Sequence, residues 1–176
     1  MSRVTAFDAL GTLFDLGELQ PRMAKPLHHA AALTLAGEWR SFDEIVEAVD
    51  PELAEKVKEV DPYPDAREAL ERCETAWVLT NGGAKQTRVL LERGGLDGLI
   101  AEICSVEEVR KYKPHPDVYA LLPHGARLVA AHAWDVVGAR SAGYDAVWVN
   151  RGDEAWPFPG IDTGDAAPNL VVAASL

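Results

Sequence analysis

The chain is short of cysteine, of basic residues and of long apolar runs, and each shortage closes off a class of function. Only Cys73 and Cys104 occur among its 176 residues. Both sit in apolar surroundings without metal-like spacing, so free buried thiols are expected rather than a disulfide or a zinc framework. Lys and Arg number 17 against 28 Asp and Glu, a formal net charge of −11. Nucleic acid and anionic membranes are drawn to a basic face, which this balance does not supply. A small anionic organic substrate stays compatible, because one nearby Lys or Arg outweighs the distant field. No apolar run approaches the ~20 residues of a membrane-spanning helix. The first strand begins almost at once, so no signal peptide is expected, and a cytoplasmic location follows. Repeats and low-complexity segments are also missing. What is left is one domain with a modest insertion, its 48% hydrophobic residues enough for a single packed core.

What is present is an alternation. "VTAFD" reads as a buried strand, and "TAWVLT", "IAEICS", "RLVAAH" and "AVWVN" repeat the pattern further on. Between them lie the helical stretches "DAREALERC", "AKQTRVLLERGG", one beginning near "HPDVYALL", and "WDVVGARSAG". Strands alternating with helices in this way predict an α/β fold, a Rossmann-like parallel sheet with helices on both faces. The strands are nearly continuous apolar runs, as expected where neither face meets water. Residues 16–63 break the rhythm with helical spacing in "LHHAAALTLAGEW" and "SFDEIVEAV", the latter opened by Ser41 with Glu44 completing a capping box. They are read as a small helical cap inserted after the first strand, leaving 1–15 and 64–176 as the core. The Pro-, Gly- and Asp-rich tail from Gly152 reads as surface loop, with "NLVVA" a candidate last strand.

In such sheets ligands bind beyond the carboxyl ends of the strands. The polar residues ending these strands are Asp8, then Thr80 and Asn81, then His132 and Asp135, with Lys113 in the loop after "IAEICS". Singly, each suits a cap or turn. Together they aim a carboxylate, a hydroxyl, an amide, an ammonium and a second carboxylate at one edge. His28 and His29, adjacent in a helix, point to different sides and do not suggest a shared metal. Trp77, Trp134, Trp148 and Trp156 read as core and rim.

These residues resemble the haloacid dehalogenase superfamily. "FDALGTLFD" is similar to its first motif, with Asp8 as nucleophile and Thr12 as the motif threonine. "VLTNGG" matches the second through Thr80, "KYKPHPDVY" the third through Lys113, and "HAWDVVGARSAGY" the fourth through Asp135. Phosphate-cleaving members carry an acid two places after the nucleophile and hold Mg²⁺, usually with two acids in the fourth motif. Here Leu10 and Ala131 stand at those places. An alkoxide leaves poorly without a proton, and general acid help is worth ~10²–10⁴ in rate; a halide needs none. The L-2-haloacid dehalogenase branch is the nearer match, through apolar Leu10, "WDVVGA" and Tyr119. That resemblance implies attack by Asp8 on the α-carbon, an aspartyl ester, and hydrolysis with Lys113 and Asp135 in attendance. It implies substrate contacts from Leu10, Thr80, Asn81 and Tyr119, and a cap arginine over the nucleophile, Arg22 or failing that Arg40. His132, standing where the family has asparagine, is a further candidate contact that can donate or accept a hydrogen bond or act as a base near neutral pH. It implies no cofactor. Related dehalogenases are often dimers, so a homodimer is a further expectation.

The family's Ser-Ser-Asn before Ala-Trp-Asp is replaced here by Ala130, Ala131 and His132. The cap is short, and so is the link between the third and fourth motifs. Two other readings therefore stand beside dehalogenation. One is a Mg²⁺-dependent phosphatase of the same superfamily, with Asp8 and Asp135 as ligands. The other is a catalytically weakened descendant that serves as a binding protein.

Overall fold

The structure, a computed structural model, describes residues 3–176, so Met1 and Ser2 of the expected core lie outside the described residues. Strands β1 (Val4–Phe7), β2 (Thr75–Thr80), β3 (Ile100–Ser105), β4 (Arg127–Ala130), β5 (Asp145–Val149) and β6 (Asp165–Ala167) form one parallel sheet. Their order is β3-β2-β1-β4-β5-β6. The direction of winding reverses between β1 and β4, and a crevice opens there at the carboxyl ends.

Side chains alternate across this sheet with the period of two that a strand imposes. Ala6, Leu79, Leu128 and Trp148 pack on one face, and Phe7, Val78, Val129 and Val147 on the other. Between β1 and β2 come a 3₁₀ turn (Gly17–Met23), α1 (Ala24–Ala36), α2 (Phe42–Val49), α3 (Pro51–Lys56) and a second 3₁₀ turn (Val57–Glu59). Met23, Phe42, Val46 and Leu53 from this segment join the first face's apolar layer. Fully burying such a side chain is worth ~1.5–3 kcal/mol, so the helical segment is fastened to the sheet through a shared core. Its two ends run side by side: Asp15 N–H donates to the Asp61 carbonyl and Tyr63 N–H to that of Leu13, each at 2.8 Å. The second face is covered by α4 (Ala66–Glu71), α5 (Ala84–Arg93) and, near the chain's end, α8 (Leu170–Ser175). The short α6 (Pro116–Tyr119) and α7 (Ala133–Ser141) lie between β3 and β5.

The capping box at α2 forms as the sequence predicts, Ser41 Oγ accepting from Glu44 N–H and the Glu44 carboxylate from Ser41 N–H. The tail differs from expectation. "NLVVA" is helix α8, and the sixth strand is the preceding Asp165–Ala167. Asn169 explains the difference, because its side chain accepts from Val172 N–H at 2.9 Å and starts the helix. Leu170 and Ala173, three apart, then bury together. Both cysteines are free, and burial pushes the Cys104 thiol up to about 12, leaving it inert at neutral pH. Among the described residues no helix is long and apolar enough to cross a membrane.

Candidate active site

Asp8 follows directly on β1, and its N–H extends the ladder to the Val129 carbonyl at 3.1 Å. The Ala9 carbonyl then accepts from the N–H groups of Thr12, Leu13 and Phe14. This tight turn places Gly11 at φ +83°, where a Cβ would also stand 2.9 Å from the His132 ring. The turn carries Thr12 back beneath Asp8. Its hydroxyl donates to Asp8 Oδ2 at 2.8 Å and accepts from Ala131 N–H at 3.0 Å. One threonine thus ties the ends of β1 and β4 together and fixes the rotamer of the carboxylate.

Lys113 enters from the loop after β3. Its Nζ donates to Asp8 Oδ1 at 3.0 Å and to Asp135 Oδ2 at 2.8 Å, with no side-chain exposure. The loop is held in place by Asn81, whose Oδ1 accepts from Lys113 N–H at 3.0 Å. Asp135, in the first turn of α7, accepts at its other oxygen from the Tyr119 hydroxyl at 2.7 Å. Burial opposes ionisation of Asp8 more than any single neighbour favours it. The charges of Lys113 and His132, with the hydrogen bonds from Lys113 and Thr12, together outweigh that cost and hold its pKa below the ordinary value. Asp135 moves the other way, pushed up by burial and by the charge of Asp8 in spite of Lys113. The Lys113 ammonium is disfavoured by burial, yet the two carboxylates raise its pKa overall. The result is an ionised carboxylate with one face left open.

That face looks into a cavity of about 30 Å³ lined by Asp8, Leu10, Thr80, Asn81, His132 and Trp134, with Leu16, Gln20, Met23, Leu27 and Phe42 from the insertion. The strand-end residues come together as the topology requires. Thr80 Oγ1 accepts from Gly82 N–H at 2.9 Å. His132 Nε2 lies 3.0 Å from the Leu10 carbonyl and 3.6 Å from Asp8 Oδ2, its ring stacked on Trp134. A carbonyl only accepts, so this nitrogen carries the hydrogen. The imidazole nitrogen nearest Asp8 is a donor, not a base.

Two expected substrate contacts are placed elsewhere. Tyr119 is fully buried behind Asp135, its hydroxyl spent on that carboxylate, so it positions rather than touches a ligand. Arg22 does not reach Asp8: its guanidinium is clasped by Asp50 at 2.8 and 2.6 Å and by Glu52 at 3.1 Å. Arg40 caps the carbonyl of Trp39. The insertion instead sends Gln20 to the mouth of the cavity. Leu16, Gln20, Met23 and Leu27 fall at helical spacing, a signal that was present in the sequence. Asp135 is fully buried beyond Lys113 and acts through it.

Gly138 lets this inner shell close. A Cβ there would overlap the Tyr119 hydroxyl and Cβ of Pro114, next to Lys113. Gly138→Ala is expected to cost ~1–3 kcal/mol, the usual cost of overpacking, read as a lowered urea midpoint, and to slow any reaction that depends on the Lys113 position.

A buried carboxylate paired with a buried lysine, at the winding reversal of a parallel sheet and beside a helical segment, marks the ligand-binding edge of an α/β enzyme. The chain belongs to the haloacid dehalogenase-like hydrolase family, whose model matches residues 18–149. Asp8 precedes that matched segment, and what joins it to the rest is the geometry above. (S)-2-haloacid dehalogenase 2 of Pseudomonas sp. (strain CBS-3) is 27% identical over 222 residues, covering 98% of this chain and 97% of that protein. Haloacetate dehalogenase H-2 of Moraxella sp. (strain B) is 25% identical over 189 residues, 83% of this chain and 84% of that one. Among solved structures, L-2-haloacid dehalogenase from Xanthobacter autotrophicus with chloropropionic acid covalently bound shares the fold. Its TM-score is 0.85 at 21% identity, over 99% of this chain and 98% of that chain.

Proposed function

We propose that this protein hydrolyses the carbon–halogen bond of small 2-haloacids through an ester formed on Asp8. The observation that carries the reading is the ionised Asp8, hydrogen-bonded to Lys113 and Thr12 and facing a cavity in which Leu10 stands two places on. An oxygen of Asp8 attacks the α-carbon as the carbon–halogen bond breaks, and the halide leaves with the electron pair. A new ester bond joins Asp8 to the α-carbon. Water then adds to the Asp8 carbonyl carbon and the acyl–oxygen bond breaks. That regenerates Asp8, frees the 2-hydroxyacid and releases one proton to solvent.

The cavity residues have distinct tasks in this scheme. Lys113 keeps Asp8 ionised for the first step and stabilises the oxyanion of the second, being within reach of the same carboxyl group. The Thr80 hydroxyl, the amide nitrogen of Asn81 and Gln20 at the mouth supply donors for the substrate carboxylate. Leu10 and Trp134 give the departing halide an apolar wall, and His132, bound to the Leu10 carbonyl, holds that wall in place.

The phosphatase reading asks Asp8 and Asp135 to share Mg²⁺. Both oxygens of Asp135 are already engaged, by Lys113 and Tyr119, and residue 131 is alanine. A small cation that demands near-octahedral oxygen is poorly served by that donor set. The expected result is chloride release from L-2-chloropropionate at a rate unchanged by chelator. Magnesium-dependent phosphate release from p-nitrophenyl phosphate, abolished by chelator, would overturn it. Inactivity in both assays would leave the binding-protein reading.

A further inference from the structure

The cavity at Asp8 is small, about 30 Å³. Beside it lies a groove of about 580 Å³. The two adjoin: Leu10, Phe42, Thr80 and Gly82 line both. The groove runs outward between the insertion and α5, with Val46, Ala54 and Val57 on one wall and Val89 and Leu90 on the other. Its rim carries charges of both signs, including Asp43, Glu47, Lys58 and Lys85. An unbranched hydrocarbon suits these walls, whereas the mixed rim offers no consistent attraction for a charged end.

We infer that this groove is the subsite for the alkyl chain of a 2-substituted carboxylic acid, so that the preferred substrates carry medium-length tails rather than a methyl group. The inference rests on the dehalogenase reading and extends it. With the carboxylate and α-carbon at Asp8, the third carbon reaches Leu10 and Phe42, and every later methylene leaves water for the apolar walls. A second copy of the chain or a protein partner in the groove would not explain why its lining is shared with that of the Asp8 cavity.

The first measurement is calorimetric binding of halogen-free alkanoates from butanoate to octanoate, which does not depend on turnover. Each added methylene should tighten binding by about fourfold, the equivalent of ~0.8 kcal/mol per buried CH₂. Val57→Trp and Val89→Trp, which narrow the groove from opposite walls, should flatten that series; Val89 is exposed, so its variant is the one certain to leave the packing intact. The second measurement is kcat/KM for 2-chloroalkanoates of the same lengths, expected to rise in parallel. A Kd independent of chain length overturns the subsite even if 2-chloropropionate is hydrolysed. So does a loss of self-association in the tryptophan variants with the chain-length series unchanged, which makes the groove an interface. A chain-length trend in binding with no halide released from any length leaves the subsite standing and removes the dehalogenase reading instead.

Discussion

Asp8→Asn will abolish halide release from 2-haloacids, with a fall of roughly 10⁴–10⁶-fold, the range seen when a covalent nucleophile is removed. The amide cannot carry the negative charge that attacks carbon, although its shape is the same and Thr12 can still donate to its carbonyl. The fold should survive. Lys113 keeps Asp135 at 2.8 Å when Asp8 loses its charge, so the buried ammonium is not orphaned. The lowered pKa of Asp8 means that the folded state favours its ionised form, so neutralisation costs some stability. A shift in Tm within about 4 °C, what ~1 kcal/mol produces in a chain of this size, is the expected bound. Intact-protein mass spectrometry gives the positive counterpart. A single turnover of wild type in ¹⁸O-water should place the heavy oxygen in Asp8, because water enters at the ester's acyl carbon. Heavy oxygen found only in the hydroxyacid would mean that water attacks the substrate directly.

Much of the core was legible because a doubly wound sheet writes its function at the ends of its strands. Asp8, Thr80, Asn81 and His132 each follow an apolar run, and parallel pairing then brings those ends to one edge, where the loop after β3 delivers Lys113. Thr12 was marked only by its likeness to the motif threonine; the turn that opens at Ala9 and passes through Gly11 is what returns it to Asp8. What the sequence could not show is which side chains are already spent. Arg22 is polar, near the entrance and close in number to the nucleophile, but Asp50 and Glu52 claim its guanidinium from a turn that is remote in sequence. Gln20 sits two residues earlier in a 3₁₀ turn, and the tighter winding there decides which of them faces the cavity. Tyr119 has the spacing of a substrate contact, and its burial behind Asp135 depends on the missing side chain of Gly138. The last strand was misplaced by a few residues because "NLVVA" has strand composition, while one N-cap hydrogen bond from Asn169 tips it to helix.

Lys113→Met is expected to bring the largest loss of stability. It leaves Asp8 and Asp135, both buried, facing each other without the ammonium that now lies 3.0 and 2.8 Å from them. Removing one partner from such a buried cluster costs about 3–5 kcal/mol, or a fall in Tm of roughly 6–20 °C in a domain of this size. The loss should depend on pH, and its sign follows from the shifts. In wild type the depressed pKa of Asp8 contributes stability that is present above the ordinary aspartate value and lost as pH falls through the folded value. The raised pKa of Lys113 contributes stability that is full below the ordinary lysine value and lost only as pH rises through its folded value. Asp135, raised already, contributes in acid and loses that contribution as pH rises. Without the lysine, burial and mutual repulsion push both carboxylates up, so the folded variant binds more protons than its unfolded chain through the weakly acidic range. The gap between wild type and variant, measured from urea midpoints at pH 5 to 8, should therefore narrow as the solution is acidified. A constant gap of less than about 1 kcal/mol would show that the ammonium is not holding two charges. Adding Asp135→Asn to Lys113→Met should recover part of the stability at neutral pH by leaving a single buried carboxylate. It should recover none of the activity, because Asp8 would still lack the positive charge that keeps it ready to attack.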